Sequence, residues 1–198
     1  MKLSKGWIIL IVVVGVIILL FAWATGINNN LVTREEGVNT QWANVENVYQ
    51  RRLDLIPNLV NTVKGVADFE KQTLTAVIEA RAKATSVQIN PKNLDEGSIQ
   101  KFQDAQNGVS AALGRLMVVV EKYPELKATQ NFSELQAQLE GTENRISVER
   151  MKFNEAAQSY NTYLRRFPNN MFAGMFGFQQ KAYFKATEGA EKAPQVQF

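Results

Sequence analysis

Residues 38–63 read VNTQWANVENVYQRRLDLIPNLVNTV, with large apolar side chains at 38, 42, 45, 49, 56, 59 and 63. With Arg52 dividing the step from 49 to 56, the steps alternate between four and three. That period of 3.5 residues marks a helix with one continuous stripe for a partner helix. In the same phase the stripe runs Val38, Trp42, Val45, Tyr49, Arg52, Ile56, Leu59, Val63, Val66, Glu70, Thr73, Val77, Ala80 and Ala84. It passes Pro57 without a slip. A proline inside a helix forfeits one backbone hydrogen bond and bends the rod. The expectation is therefore one kinked helix over 38–84, about 70 Å long at 1.5 Å per residue. A full break into two helices at Pro57 is the alternative.

Working outward, a second stripe follows as Ile99, Phe102, Gln106, Val109, Leu113, Leu116, Val120 and Tyr123. A third follows as Leu135, Leu139, Thr142, Ile146, Glu149, Phe153, Ala157, Tyr160, Leu164 and Phe167. Breaks around Pro91, Pro124 and Pro168 separate the stripes. Ser133 with Gln136, or Asn131 with Glu134, reads as the capping box that opens the third helix. No stretch alternates as a strand does. The fold class is all-α: an N-terminal transmembrane helix, then an elongated antiparallel bundle of three long helices with a short C-terminal helical segment. That last segment packs Met171, Phe172, Met175, Phe176 and Phe178 around Gly174 and Gly177. It reads either as a lid on the open end of the bundle or as a contact patch for a membrane surface or partner.

Upstream of the stripes, residues 7–24 contain no charge, and the next charged residue is Arg34. Eighteen residues make a helix of roughly 27 Å, close to the hydrocarbon thickness of a bilayer. Trp7 and Trp23 bracket the run as an aromatic belt would, with Gly15 inside it and Ala24 at its end. The rival reading is a cleaved signal peptide. Lys2 and Lys5 would form its basic region, and Ala22-Trp23-Ala24 the small-x-small cleavage pattern. An apolar core of 7–15 residues is usual for such a signal, so the longer run favours an uncleaved anchor. Lys2 and Lys5 precede the span and only Arg34 follows closely, which predicts a cytoplasmic N-terminus and a bundle outside it. The chain thus divides into an anchor at 1–26, a bundle at 27–187 and a polar tail at 188–198.

Composition narrows the chemistry. The chain has no Cys and no His. Disulfides, thiolate ligands and thiol nucleophiles are excluded, as are the commonest general base and metal ligand. Of 22 Lys and Arg, Lys2 and Lys5 precede the span and leave 20 against 19 Asp and Glu, interspersed as on a solvated helical surface. The doublets Arg51-Arg52 and Arg165-Arg166 are too sparse for a nucleic-acid footprint. Ser98-x-x-Lys101 has the spacing of penicillin-recognising enzymes, but the other elements of that site are missing. Asn93, Asp95 and Glu96 lack the spacing of a calcium loop and read as a helix cap. No glycine-rich phosphate loop occurs. No cofactor, metal, nucleic acid or small-molecule substrate is expected. Arg52, Glu70 and Glu149, with Gln106 and Thr142, interrupt the apolar stripes. Each either reaches water along its stem or, for Arg52 and Glu70, forms a partly buried pair that fixes register.

Several stretches together resemble the LemA family. They are Arg51-Arg52-Leu53-Asp54-Leu55-Ile56-Pro57-Asn58-Leu59-Val60 with Val63-Lys64-Gly65, then Thr142-Glu143-Asn144-Arg145-Ile146, Tyr160-Asn161-Thr162 and Phe167-Pro168-Asn169-Asn170. Gly177-Phe178, Tyr183-Phe184 and the terminal Pro194, Val196 and Phe198 extend the likeness. The resemblance implies a bacterial single-pass membrane protein with an exposed helical bundle and no established enzymatic activity. The family also includes a magnetosome-membrane protein, which implies a part in membrane organisation. Such proteins commonly carry an aromatic residue and then a His after the Val-Lys-Gly element. Here Val66 and Phe69 stand in those places, so no role of that His carries over.

The expected function is a membrane-anchored, non-enzymatic helical scaffold at the cytoplasmic membrane that self-associates or docks partners. The alternative is a signalling or regulatory adaptor of a membrane protease or transporter complex. A hydrolase using only carboxylates and lysine ranks third. The expected partners are the bilayer, a second copy and an envelope or membrane protein. Helix lengths favour the second copy. With one helix over 38–84, the helix at 99–123 runs back only to about residue 60, and the third climbs again. Val38, Trp42, Val45 and Tyr49 would then lie bare, with the Met/Phe segment at the far end, and a second copy would cover them.

Overall fold

The structure, a computed structural model, describes residues 5–65 and 70–185. Its spine is α1, Lys5–Lys64, which carries the apolar run directly into the bundle without a linker. Asparagine and threonine beyond the run would favour a loop, but here they serve the helix. Asn30 Nδ2 donates to the Gly26 carbonyl, and the hydroxyls of Thr25, Thr33 and Thr40 donate to carbonyls three or four residues back. Burial changes at one point. Every residue from Trp7 to Val14 is exposed, and no part of the most apolar window is buried. From Ile27 onward α1 buries Leu31, Val38, Trp42, Val45, Tyr49 and Arg52 in turn. The N-terminal part of α1 is thus a candidate membrane span.

Pro57 lies inside α1, and the expected kinked helix over 38–84 does not form. The chain breaks after Lys64 instead, at Gly65, and resumes as α2, Lys71–Ser86. Val66 and Phe69 fall outside the described residues. Pro57 is tolerated because the carbonyl it orphans finds another donor. A residue at 57 would normally donate to Leu53, four back. Arg81 of α2 does so instead, its Nε lying 2.9 Å from the Leu53 oxygen.

The extra break adds a reversal and changes the layout. α2 descends beside α1, and α3, Glu96–Val120, ascends, bringing Phe102 to Trp42 and Gln106 to Arg52. Asp95 caps α3 by accepting the Ser98 amide at 2.7 Å, which holds its carboxyl below the usual range. A short turn, α4, Pro124–Lys127, leads into α5, Gln130–Arg165. The N-cap of α5 is Thr129, two residues before Asn131 and four before Ser133, and it makes no side-chain cap bond. It descends antiparallel to α1, with Glu143 at Arg52 and Ser159 at Arg34. The bundle therefore has four long helices rather than three, and no strand among the described residues.

The core falls into two parts. The upper part packs Leu53 to Val63 of α1 against α2, α3, Leu126 and Phe132. The lower part has only α1 and α5 as long walls, because α2 ends at Ser86 and α3 begins at Glu96. The chain beyond α5 completes it. α6, Asn169–Phe176, turns across the low end and stops at Gly177, whose φ of +79° favours glycine. The Phe178 and Gly177 amides donate back to Ala173 and Gly174, a Schellman ending that reverses the chain. Residues 178–185 then climb in extended form beside α5. The Met/Phe segment is thus next to the candidate span and not at the distal end, because α5 descends rather than climbs.

Candidate functional site

The lower seam is built around Trp42. Its ring meets Phe102 of α3 at 5.2 Å and Phe153 of α5 at 5.6 Å edge-on, and stacks on Phe184 of the extended segment at 5.9 Å. Val38, Trp42 and Val45 are fully buried, and Tyr49 nearly so. The seam expected to lie open for a second copy is thus covered within one chain. The cover is the segment at 178–185, which a three-helix layout had placed out of reach.

Two asparagines hold that segment. Asn161 Oδ1 accepts the Lys181 amide at 2.9 Å, and its Nδ2 donates to the Lys181 carbonyl at 2.8 Å. Asn154 repeats the arrangement at Phe184, at 2.9 and 3.0 Å. Seven residues apart, they share one face of α5. A carboxamide offers a donor and an acceptor side by side and so pairs with one extended residue as a neighbouring strand would. Tyr160 adds a hydroxyl donated to the Gln179 carbonyl at 2.9 Å. Burial first, and then the charge of Glu35, keep that phenol protonated well above its ordinary range. Lys181 is buried and pairs with Glu35 at 2.7 Å, while Lys185 pairs with Glu96. Asn154 and Lys181 were not singled out from sequence, and Asn161 stood there only within the Tyr160-Asn161-Thr162 stretch. A visible signal existed, since asparagine inside a helix beside core residues is unfavourable unless its amide is used.

Above the seam, Arg52 crosses the bundle, almost fully buried. Nη2 donates to the Gln106 carbonyl at 3.1 Å and to its Oε1 at 2.6 Å. Nη1 donates to Ser110 Oγ at 2.8 Å and Glu143 Oε1 at 2.6 Å. The guanidinium lies 5.1 Å from the Tyr49 ring centroid. Burial raises the Tyr49 phenol pKa, against the pull of Arg150 and Arg52. The network borders a groove of about 310 Å³ that Asn107, Ser147 and Arg150 help to line. Ser110 accepts from Arg52 and donates to the Gln106 carbonyl at 3.4 Å.

The polar seam positions fare differently. Arg52 is buried and partnered, but with Glu143 and Gln106 and not with Glu70. Glu70 is exposed, precedes α2 and accepts the Thr73 hydroxyl. Glu149 pairs with Lys152 at the surface of α5. Among the described residues no group of acidic side chains could hold a metal ion.

The patch at Met171, Phe172, Met175, Phe176 and Phe178 divides. Ala173 and much of Phe172 face the core, Phe178 is half-buried, and Met171, Met175 and Phe176 are exposed. Phe172 meets Trp23 edge-on at 5.7 Å and stacks on Phe176 at 6.4 Å. The patch is therefore continuous with the end of the candidate span.

The chain is 28% identical to Magnetosome protein MamQ 2 of Paramagnetospirillum magneticum over 174 residues, covering 79% of this chain and 64% of that protein. It is 27% identical to Magnetosome protein MamQ of Magnetospirillum gryphiswaldense over 173 residues, with the same coverage. Protein LemA of Metamycoplasma hominis is 22% identical over 185 residues, 93% of this chain and 80% of that one. The chain thus spans a little under two thirds of the length of the magnetosome proteins it matches. The family model for LemA matches residues 41–198, which takes in the seam from Trp42 onward, the Arg52 network and the segment that closes the bundle; the chain belongs to the LemA family.

Proposed function

We propose that the protein is a membrane-anchored, non-enzymatic scaffold that docks partners or further copies of itself in the plane of the bacterial cytoplasmic membrane. One observation carries this reading: α1 runs unbroken from the candidate span into the bundle core. No linker separates anchor from bundle, so the bundle stands as a rigid post of about 55 Å over residues 27–64, at 1.5 Å per residue. A post of fixed height and orientation suits the positioning of other proteins. The magnetosome relatives are consistent with a role in organising a membrane. The positive-inside bias of Lys2 and Lys5 over Arg34 supports a bundle on the outer face.

Because the lower seam is closed, docking uses the outer faces of the helices, where Ile78, Val118, Val148 and Met151 are exposed. Cross-linking in intact membranes, followed by mass spectrometry, tests the reading. Adducts between copies, or with other membrane proteins through α2, α3 or α5, are the expected result. Monomer alone at every cross-linker length would contradict it. Adducts with a single protease or transporter, without self-adducts, would favour the adaptor reading. Protease added to spheroplasts should degrade the bundle, and protection would reverse the orientation.

A further inference from the structure

The exposed side chains of α6 and of the turn before it share one level of the molecule. Phe167 is 81% exposed, Met175 79% and Met171 62%. In water such a cluster is unfavourable. It is not distal, as an open end of the bundle would be. The Trp23–Phe172 contact fixes its height at the end of the candidate span, and Ala173 packs into the cluster that holds Ile27 and Leu31. Just above it, Arg165 and Arg166 end α5 with exposed side chains. By the antiparallel register of α1 and α5 they stand level with residues 28–30. That is roughly 10 Å beyond Trp23 along the axis, within reach of the polar layer of a bilayer for a snorkelling arginine. Residues 156–187 contain no Asp or Glu; the acidic groups nearby are Glu155, which lines a groove with Arg166, and Glu35, which pairs with Lys181.

We propose that this foot of the bundle is embedded in the leaflet from which α1 emerges. Phe167, Met171, Met175 and Phe176 enter the boundary between headgroups and acyl chains, and Arg165 and Arg166 meet lipid phosphates. Apolar residues below and basic residues above are the arrangement of an interfacial membrane helix. The occupant is the protein's own bilayer, because the patch continues the surface of the span. The foot is a second attachment that fixes the bundle's rotation about α1. It contributes binding that depends on anionic lipid. This inference rests on the anchor reading, and its test separates the two.

The absence of cysteine allows single-cysteine probes in the full chain. Met175→Cys, Leu19→Cys and Ala137→Cys are each labelled with an environment-sensitive fluorophore and reconstituted into vesicles of neutral lipid with or without anionic lipid. Leu19 reports the span and Ala137 a face of upper α5. The expected result is strong quenching of the probe at 175 by a spin label placed shallowly in the lipid, several-fold above that at 137. Iodide in the water should quench it weakly. Arg165→Gln with Arg166→Gln should remove the dependence on anionic lipid. Iodide quenching at 175 equal to that at 137, with the probe at 19 in lipid, would overturn the foot and leave the anchor. A probe at 19 that reads water would overturn both. Shielding at 175 from both quenchers, with cross-links to another copy, would show that protein covers the patch and would also overturn the inference.

Discussion

Arg52 is almost fully buried, while the side chain of its partner Glu143 is 46% exposed, and that difference decides what each mutation costs. Removing the carboxylate leaves a buried guanidinium uncompensated, whereas removing the guanidinium lets Glu143 turn to water. Glu143→Ala should therefore cost about 3 kcal/mol, and the volume-matched Arg52→Met about 1–2 kcal/mol, mostly the lost partner of Gln106. Denaturation of the full chain in detergent would measure both, and the reverse order would contradict this account of the network. Glu46 shows the opposite electrostatics. Burial raises its carboxyl pKa, so the folded state resists its ionisation. A raised acid penalises folding above its folded pKa, and the penalty disappears as pH falls below the usual carboxylate range. Glu46→Gln should raise the melting temperature near pH 7, with the gain fading on acidification. A gain that persisted unchanged at low pH would assign it to packing instead.

At the scale of elements, Pro57 and Arg81 form a compensated pair. The proline removes the donor that Leu53 needs, and α2 supplies one. Arg81→Met should cost about 1.5 kcal/mol with Pro57 present, as for a hydrogen bond from a charged donor. It should cost about 0.5 kcal/mol or less in Pro57→Ala, where a backbone N–H is restored. Equal costs in the double-mutant cycle would mean that Arg81 acts elsewhere. The same pair shows what sequence could and could not reveal. The stripes of period 3.5 identified the buried faces from Val38 to Val63 and from Ile99 to Val120, because periodicity records burial directly. Proline was the loudest breaker, yet the chain broke after Lys64. Val77 and Ala84 of α2 keep the phase of α1, so the turn left no slip in the pattern. The 178–185 segment was silent for a different reason. It is held largely through its backbone by Asn154 and Asn161, and backbone groups carry no sequence signature.

For the whole molecule these elements make a closed bundle that rises directly from its candidate span. One missed reversal had large consequences in the sequence reading. It sent α5 the wrong way, carried the Met/Phe segment to the far end and left Trp42 bare. In the structure the chain returns to the foot of α1 and then climbs over the seam, so one chain completes its own core. The polar tail at 188–198, with Pro194, Val196 and Phe198, lies outside the described residues.

That self-sufficiency is the central claim, and thiol accessibility in intact membranes tests it most directly. Val45 is fully buried among α1, α5 and their cover, while Val118 on α3 is 67% exposed. Valine to cysteine changes volume little, and the chain has no other thiol. Val45→Cys should resist a membrane-permeant maleimide and form no disulfide dimer under oxidation, while Val118→Cys reacts promptly. Modification of Val45→Cys at the rate of Val118→Cys, or its ready dimerisation, would show that the seam is open and that a second copy, not the chain's own C-terminal segment, completes the bundle.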